Sequence, residues 1–280
     1  MDKIKILVVC HKKAEIYQDE VYTPIQVGKA IHPDVNLGYI TDDTGDNISF
    51  KNGNYSELTA QYWAWKNLHD VEYVGLCHYQ RYFHNRLNAS NIDSILGNKA
   101  DMILIEPITE WMNLGERLMA WTSREDFYIF YKCFLKVHPE DEEQFRLHLN
   151  QNKFTPFNMF VMKKDEFDKF AEWQFAIFNE MEKYVRLSGY ARQKRLYGYL
   201  SEILLSLYAR VKGLKVKYDR MVTADDEMIW PKYDLKYYIM EQLKYDLSFG
   251  ISHGFRANRR LFNGDFNAVK VGMKQDGIVI

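Results

Sequence analysis

The sequence predicts an α/β fold: a mainly parallel central sheet flanked by helices, with a helical and irregular carboxyl-terminal extension. Three observations carry this expectation. "KIKILVVC" and "VEYVGLCH" are near-continuous apolar runs of strand length, as strands covered on both faces require. Strand-like and helix-like segments alternate up to Cys77, the order expected of parallel strands with helical crossovers. Composition is 47% hydrophobic and 27% charged, which is globular rather than disordered. At 280 residues the chain fits one α/β domain with embellishments and can bury a substantial core.

The first strand is Lys3 to Cys10, and His11, Lys12 and Lys13 lie just past its carboxyl end. In open α/β sheets that edge is where ligands bind. "TPIQVGKAIH" reads as a short helix with Thr23 as cap and Pro24 at its first position. "VNLGYI" reads as a second, shorter strand. "TDDTGDNISFKNGNYSE" is turn chemistry, rich in Asp, Asn and Gly. "SELTAQYWAWKNLHD" follows as a helix capped by Ser56, with Leu58, Tyr62, Trp65 and Leu68 as its apolar stripe. Tyr73 to Cys77 is the next strand, and "ADMILIEPI" another, ended by a proline. Residues 110–150 read as helical. A short strand, Met159 to Met162, leads into a long amphipathic helix. Its stripe of Phe167, Phe170, Trp173, Phe175 and Phe178 reads as core. "YGYLSEILLSLYARVKG" is a helix ending at Gly213, and "LKVKYD" is a late strand. "DLKYYIMEQLKYDLSF" reads as a last helix, followed by the basic, aromatic "HGFRANRRLFNGDFNAVK". The expected organisation is one domain over residues 1–230, with residues 231–280 as an extension packing on it and available for acceptor or membrane contact.

Bulk properties exclude several classes. Net charge is −1, so no global field favours nucleic acid, and any anion site must be local. Three cysteines, Cys10, Cys77 and Cys133, are far apart and flanked by apolar residues, which reads as reduced, buried thiols suited to cytoplasm. No apolar run has the length of a signal peptide or a membrane span, so any membrane role is expected to be peripheral. Gly-rich phosphate loops, H-E-x-x-H, paired C-x-x-C and G-x-S-x-G are absent from the sequence, which weighs against the enzymes that use them. Aromatics are 15%, including 20 tyrosines, whose apolar face and hydroxyl serve both cores and sugar-stacking surfaces.

Polar clusters at strand ends remain as the candidates for chemistry. "HKK" fits a phosphate or nucleotide pocket; a solvated strand exit is the alternative. "TDDTGDNISFKN" offers carboxylates for a divalent cation or a ribose; a polar turn is the alternative. In "CHYQRYFHNR", Arg81 suits bidentate contact with phosphate oxygens, His78 can exchange a proton, and Tyr79, Tyr82 and Phe83 can stack on a base or sugar. An aromatic lid over a strand end is the alternative. In "GYLSE", Glu202 stands early in a helix beside Tyr197 and Tyr199. It is a candidate general base or a dipole-favoured helix glutamate.

The blocks "YTPIQVG", "DNISFKN", "SELTAQYWAWKN", "YVGLCHYQRYF" and "FNMFVMKKDEFDKFAEW" resemble those of a bacterial capsular and exopolysaccharide glycosyltransferase family, formerly catalogued as a domain of unknown function. The resemblance runs in order from Ile4 to about Tyr218. It implies a GT-A-like (Rossmann-type) fold and transfer from a nucleotide-sugar donor, UDP-galactofuranose or UDP-galactose being the leads, onto a lipid-linked glycan. It therefore implies an enzyme, a hexosyltransferase, working in the cytoplasm at the inner membrane face. The rival readings are a non-catalytic nucleotide- or glycan-binding protein on the same fold and a phosphate-handling hydrolase. The resemblance implies donor contacts from His11, Lys12, Asp46, Asn47, Lys51, Glu57, His78 and Arg81, and acceptor contacts from Asn158, Tyr197 and Tyr199. Catalysis would fall to Glu202 as base, with Arg81 and His78 at the leaving group. Where such folds usually place D-x-D, this strand end reads His78, Tyr79, Gln80, Arg81. No metal ligand is therefore assigned there, and Asp43 and Asp46 keep a Mn or Mg site open. Gln80 replaces an arginine of the more frequent H-Y-R-R-Y-F form, which removes one fixed positive charge.

Overall fold

A computed structural model describes residues 2–187, 189, 191–224, 235–254 and 266–280. The chain divides into two compact units. Unit 1 comprises Met1–Glu106, Thr155–Glu172 and Tyr208–Lys232, and unit 2 comprises Pro107–Phe154, Trp173–Leu207 and Tyr233–Ile280.

Unit 1 is built on one mixed sheet of strands β1 (Asp2–Cys10), β2 (Tyr22–Gln26), β3 (Ile40–Thr41), β4 (Val71–His78), β5 (Arg81–Phe83) and β6 (Met102–Ile105). Numbering past the short pair β7 (Ile108–Thr109) and β8 (Lys153–Phe154) of unit 2, it continues with β9 (Phe160–Lys163), β10 (Val216–Asp219) and β11 (Met221–Thr223). The main order is β10-β6-β9-β4-β1-β2-β3. β1 runs parallel to β2 and β4, and β6 runs parallel to β10. β9 lies antiparallel between β4 and β6. The expectation of a mainly parallel sheet is thus met only in part. The chain between β6 and β9 passes through the helices of unit 2, so it is not a simple crossover helix and imposes no parallel return.

The apolar runs are explained by burial on both sheet faces. Alternate β1 residues Ile4, Ile6, Val8 and Cys10 join a cluster with Tyr73, Cys77, Ile103 and Val161. Leu7, Val9, Val74, Leu76, Leu104 and Phe160 are buried as well. Phe160 stacks on Phe167 of helix α7 (Lys164–Met181) at 5.5 Å, and Phe170 meets Tyr208 of helix α9 (Leu196–Val211) at 5.1 Å. The Phe167–Phe178 stripe is buried throughout, as expected.

Three local expectations need correction. The "TPIQ" segment is strand β2, not a helix start. Val27 N–H donates to the Cys10 carbonyl, while the Gln26 carbonyl accepts from Asp42 on the other side. By this alternation the Pro24 nitrogen points away from β1, where β3 pairs only with Ile25 and Gln26, so no ladder donor is missed. Of "VNLGYI", only Ile40 enters a strand. In helix α2 (Leu58–Asn67, after the one-turn α1, Asn52–Tyr55) the buried residues are Leu58, Thr59, Ala60, Gln61 and Ala64. Tyr62 and Trp63 instead bond the preceding loop, through Asp46 and Thr44.

Unit 2 is helical, with α4 (Leu114–Trp121), α5 (Arg124–Val137) and α6 (Glu142–Leu149) following the one-turn α3 of unit 1 (Ile92–Ile95). Asn113 and Glu116 form a reciprocal capping box at α4, and Ser123 caps α5. Phe134 packs on Phe145 at 4.0 Å and meets Trp173 edge-on at 5.8 Å. α8 (Ala191–Lys194), α10 (Leu235–Gly254) and α11 (Phe266–Gln275) complete the described helices. Phe266 packs between Phe127, Tyr128 and Tyr131. Among the described residues no helix is long and apolar enough to cross a membrane. Residues 255–262, "FRANRRLF", lie outside the described residues.

Candidate functional site

β4 ends at His78, turns through Tyr79 and Gln80, and returns as β5, with His78 opposite Arg81. This tight hairpin explains why cations and aromatics crowd the strand end. Tyr82 and Phe83 point into the core, at 4% and 0% exposure, so their rings serve packing. His78 and Arg81 remain half-buried and converge on one residue, Phe157. His78 Nε2 lies 2.7 Å from the Phe157 carbonyl, and the Arg81 guanidinium carbon sits 4.3 Å from the Phe157 ring centroid.

Phe157 and Asn158 form a turn with φ of 72° and 52°. Asn158 accommodates the left-handed region, but phenylalanine there is a strained outlier. Asn158 is 1% exposed and donates from Nδ2 to Glu57 Oε1 at 2.7 Å. Glu57 itself is buried, and the residue before it, Ser56, has φ of 52°. The Ser56 carbonyl accepts from Asn52 Nδ2 at 2.7 Å. His78, Arg81, Phe157, Asn158 and Glu57 are therefore one connected cluster holding strained backbone on both sides.

The β1 exit flanks this cluster. Val9 pairs with His78, and Tyr79 N–H donates to the Val9 carbonyl. His11 meets Tyr79 edge-on at 5.7 Å, and Lys12 Nζ lies 5.9 Å from the same ring. Lys12, Lys13, Tyr17, Tyr79, Gln80 and Tyr82 line an open pocket of about 710 Å³. Its wall is fixed by Asp19, which accepts from Tyr17 Oη, the backbone N–H groups of Val21 and Tyr22, and Arg86. Burial raises the Asp19 carboxyl, but these donors outweigh it and hold the group at about 2. Burial, helped by Asp19, pushes the Tyr17 phenol up to about 12. Burial also pushes the Cys10 thiol up to about 12 and raises Cys77, so both stay neutral; all three cysteines are free and buried, as expected.

The loop after β3 is tied down differently. Asn47 donates to the Asp43 and Gly45 carbonyls and accepts from Ser49 N–H. Asp46 accepts from Tyr62 Oη at 3.3 Å, and Asp43 from Thr41 Oγ1 at 2.6 Å. Both carboxylates are exposed. Lys51 Nζ lies 5.7 Å from the Tyr55 ring. The sequence reading missed Asp42, which is fully buried and gathers Gly28 N–H, Lys29 N–H and Ser49 Oγ. It also missed Phe157, for which the Pro156–Asn158 spacing is the available turn signal.

Glu202, Tyr197 and Tyr199 belong to unit 2. Glu202 is 9% exposed. Tyr197 is buried against Phe178 at 5.2 Å, and that burial raises its phenol. Tyr199 is half-buried beside Trp121, their ring centroids 5.0 Å apart.

Comparison with known proteins adds three findings. The model of a family described as a domain of unknown function, DUF4422, matches residues 5–213, a span that contains the five blocks that carry the family resemblance. No curated protein matches the chain. The apo structure of the bifunctional glycosyltransferase WbbM is similar at 27% identity and a TM-score of 0.72, over 80% of this chain and 46% of that one. The chain therefore spans about half the length of that structure.

Proposed function

Because the chain belongs to the DUF4422 family, we propose that it is a glycosyltransferase of GT-A-like architecture, transferring a hexose from a UDP-sugar to a lipid-linked polysaccharide acceptor. The likeness to WbbM supports the reaction class. The observation that carries the reading is the convergence of His78 and Arg81 on the strained Phe157–Asn158 turn at the carboxyl edge of the sheet. A departing UDP gathers negative charge, and a fixed cation at that edge stabilises it without reorganisation. Arg81 supplies the charge, and stacking on Phe157 preorganises its guanidinium. In the neutral ring His78, with Nε2–H committed to the Phe157 carbonyl, presents Nδ1 as an acceptor. Lys12 and His11 extend the cationic edge toward the diphosphate, and Asn47, Asp46 and Lys51 serve the donor's nucleoside side. Asp43 and Asp46 offer exposed carboxylates for a divalent ion there. Glu202 is our candidate base, with Tyr199 at the acceptor and residues 255–262 in peripheral contact with the inner membrane face. UDP-galactofuranose and UDP-galactose are the first donors to test.

A thermal-shift panel of nucleotide sugars tests this, since a ligand of the native state raises apparent stability by mass action. The reading expects UDP-sugars to raise Tm and GDP- or CMP-sugars to leave it unchanged. No shift with any UDP-linked ligand contradicts it, and binding without transfer to any glycan acceptor favours a non-catalytic binding protein.

A further inference from the structure

The stretch "VHPED", residues 137–141, joins α5 to α6 in unit 2, and the proposed transfer reaction makes no use of it. One ring nitrogen of His138 and one carboxylate oxygen each of Glu140 and Asp141 lie within 4.8 Å of one another. His138 Nε2 is 3.1 Å from the Trp173 carbonyl. A carbonyl only accepts, so in the neutral ring Nε2 carries the proton and Nδ1 presents its lone pair. The ring is held in that pose, stacked on Trp173 at 5.0 Å and 20° and edge-on to Phe134 at 5.9 Å. A carbonyl partner on the far nitrogen is the usual way a metal-binding histidine is oriented. Nδ1 lies 3.6 Å from Glu140 Oε1. Two ligands on a tetrahedral ion with bonds of about 2.1 Å are separated by roughly 3.4 Å.

Asp141 supplies the second, independent observation. It is 8% exposed, and its Oδ2 is buried without a hydrogen-bond partner. Burying a carboxylate oxygen unpaired is costly, and buried charges are normally paired or bound to metals. Two carboxylates and a nitrogen lone pair brought this close form a donor set suited to a cation. A proton on Nδ1 neutralises one negative charge; a dication neutralises both.

We propose that His138, Glu140 and Asp141 bind a divalent transition-metal ion of the Zn²⁺ class, with water in the fourth position. The mixed nitrogen and oxygen donor set suits such an ion better than Mg²⁺, which prefers six oxygens. The ion clamps the end of α5 to the start of α6.

The test is calorimetric titration of Zn²⁺, and separately Mg²⁺, into the tag-free, chelator-stripped chain, with thermal melting in parallel. One tight Zn²⁺ per chain is expected, with at least tenfold weaker binding in Glu140→Gln. That side chain is mostly exposed, so the variant leaves the fold intact. Zn²⁺ should raise Tm in the wild type and not in Asp141→Asn, whose fold is checked by circular dichroism. Absence of a tight Zn²⁺ site overturns the proposal. So does Zn²⁺ affinity unchanged in both variants, or Mg²⁺ binding as tight as Zn²⁺.

Discussion

His78 and Phe157, 79 positions apart, are joined by a 2.7 Å hydrogen bond from Nε2 to the backbone carbonyl. In the neutral ring the bond places the proton of His78 on Nε2. It also anchors a turn whose φ of 72° at Phe157 costs on the order of 1–3 kcal/mol. That strain persists because its surroundings over-determine the turn: His78 on the carbonyl, Arg81 on the ring, and Glu57 on the next side chain.

The Asn158–Glu57 bond is the buried side of this arrangement. Asn158→Ala removes a hydrogen bond to a carboxylate, valued at about 1.5–3 kcal/mol, and places alanine at a φ of 52° that asparagine tolerates better. Urea unfolding is expected to show a loss of that size, with a smaller loss for Glu57→Gln, whose amide oxygen still accepts.

Gly75 lies in β4 directly between Ile6 of β1 and Val161 of β9, its partners on the two neighbouring strands. A Cβ there would fall 2.7 Å from Val161 Cγ2 and 2.9 Å from Ile6 Cγ1. Gly75→Ala is expected to cost about 1–3 kcal/mol by overpacking, read as a lower denaturation midpoint at unchanged slope.

These positions mark what the sequence could reveal. β1 and β4 were legible because burial on both faces leaves an uninterrupted apolar run. β2 was not, because Pro24 fits a helix start as well as a strand whose nitrogen faces no partner. β5 and β11, three residues each, are too short to show a period. The direction of β9 was hidden because periodicity says nothing of pairing sense. His78 and Arg81 were legible as polar residues at a strand end. The turn that unites them was signalled only by Pro156 and Asn158, a spacing that does not mark the phenylalanine between them as left-handed. Asp42 stood in a run of acidic turn residues, and only the fold distinguishes the buried one.

Asp19 gives a pH signature. Its carboxyl sits at about 2 against an ordinary 3.8, lowered by its donors despite burial. Its stabilising contribution is fully present above about pH 4 and is lost as pH falls through about 2. Asp19→Asn should therefore be less stable than the wild type at pH 7, and the gap should close toward pH 2. A gap independent of pH, in melts from pH 2 to 7, would remove Asp19 from this role.

Glu202 and Glu57, both buried, are the glutamates to compare as base. Glu202→Gln is expected to keep UDP-sugar binding and lose transfer by at least a hundredfold, the usual scale of general-base catalysis. Glu57→Gln should alter donor affinity and stability together. Normal transfer by Glu202→Gln makes it a structural residue.

The most direct measurement is UDP release from a UDP-sugar, with and without glycan acceptor, in the wild type and in Arg81→Ala. The account predicts acceptor-dependent release by the wild type. In Arg81→Ala it predicts donor binding weakened by roughly 10- to 150-fold, equivalent to about 1.5–3 kcal/mol for a charge-assisted contact, with the melting temperature little changed. Wild-type turnover in a well-folded Arg81→Ala would contradict it.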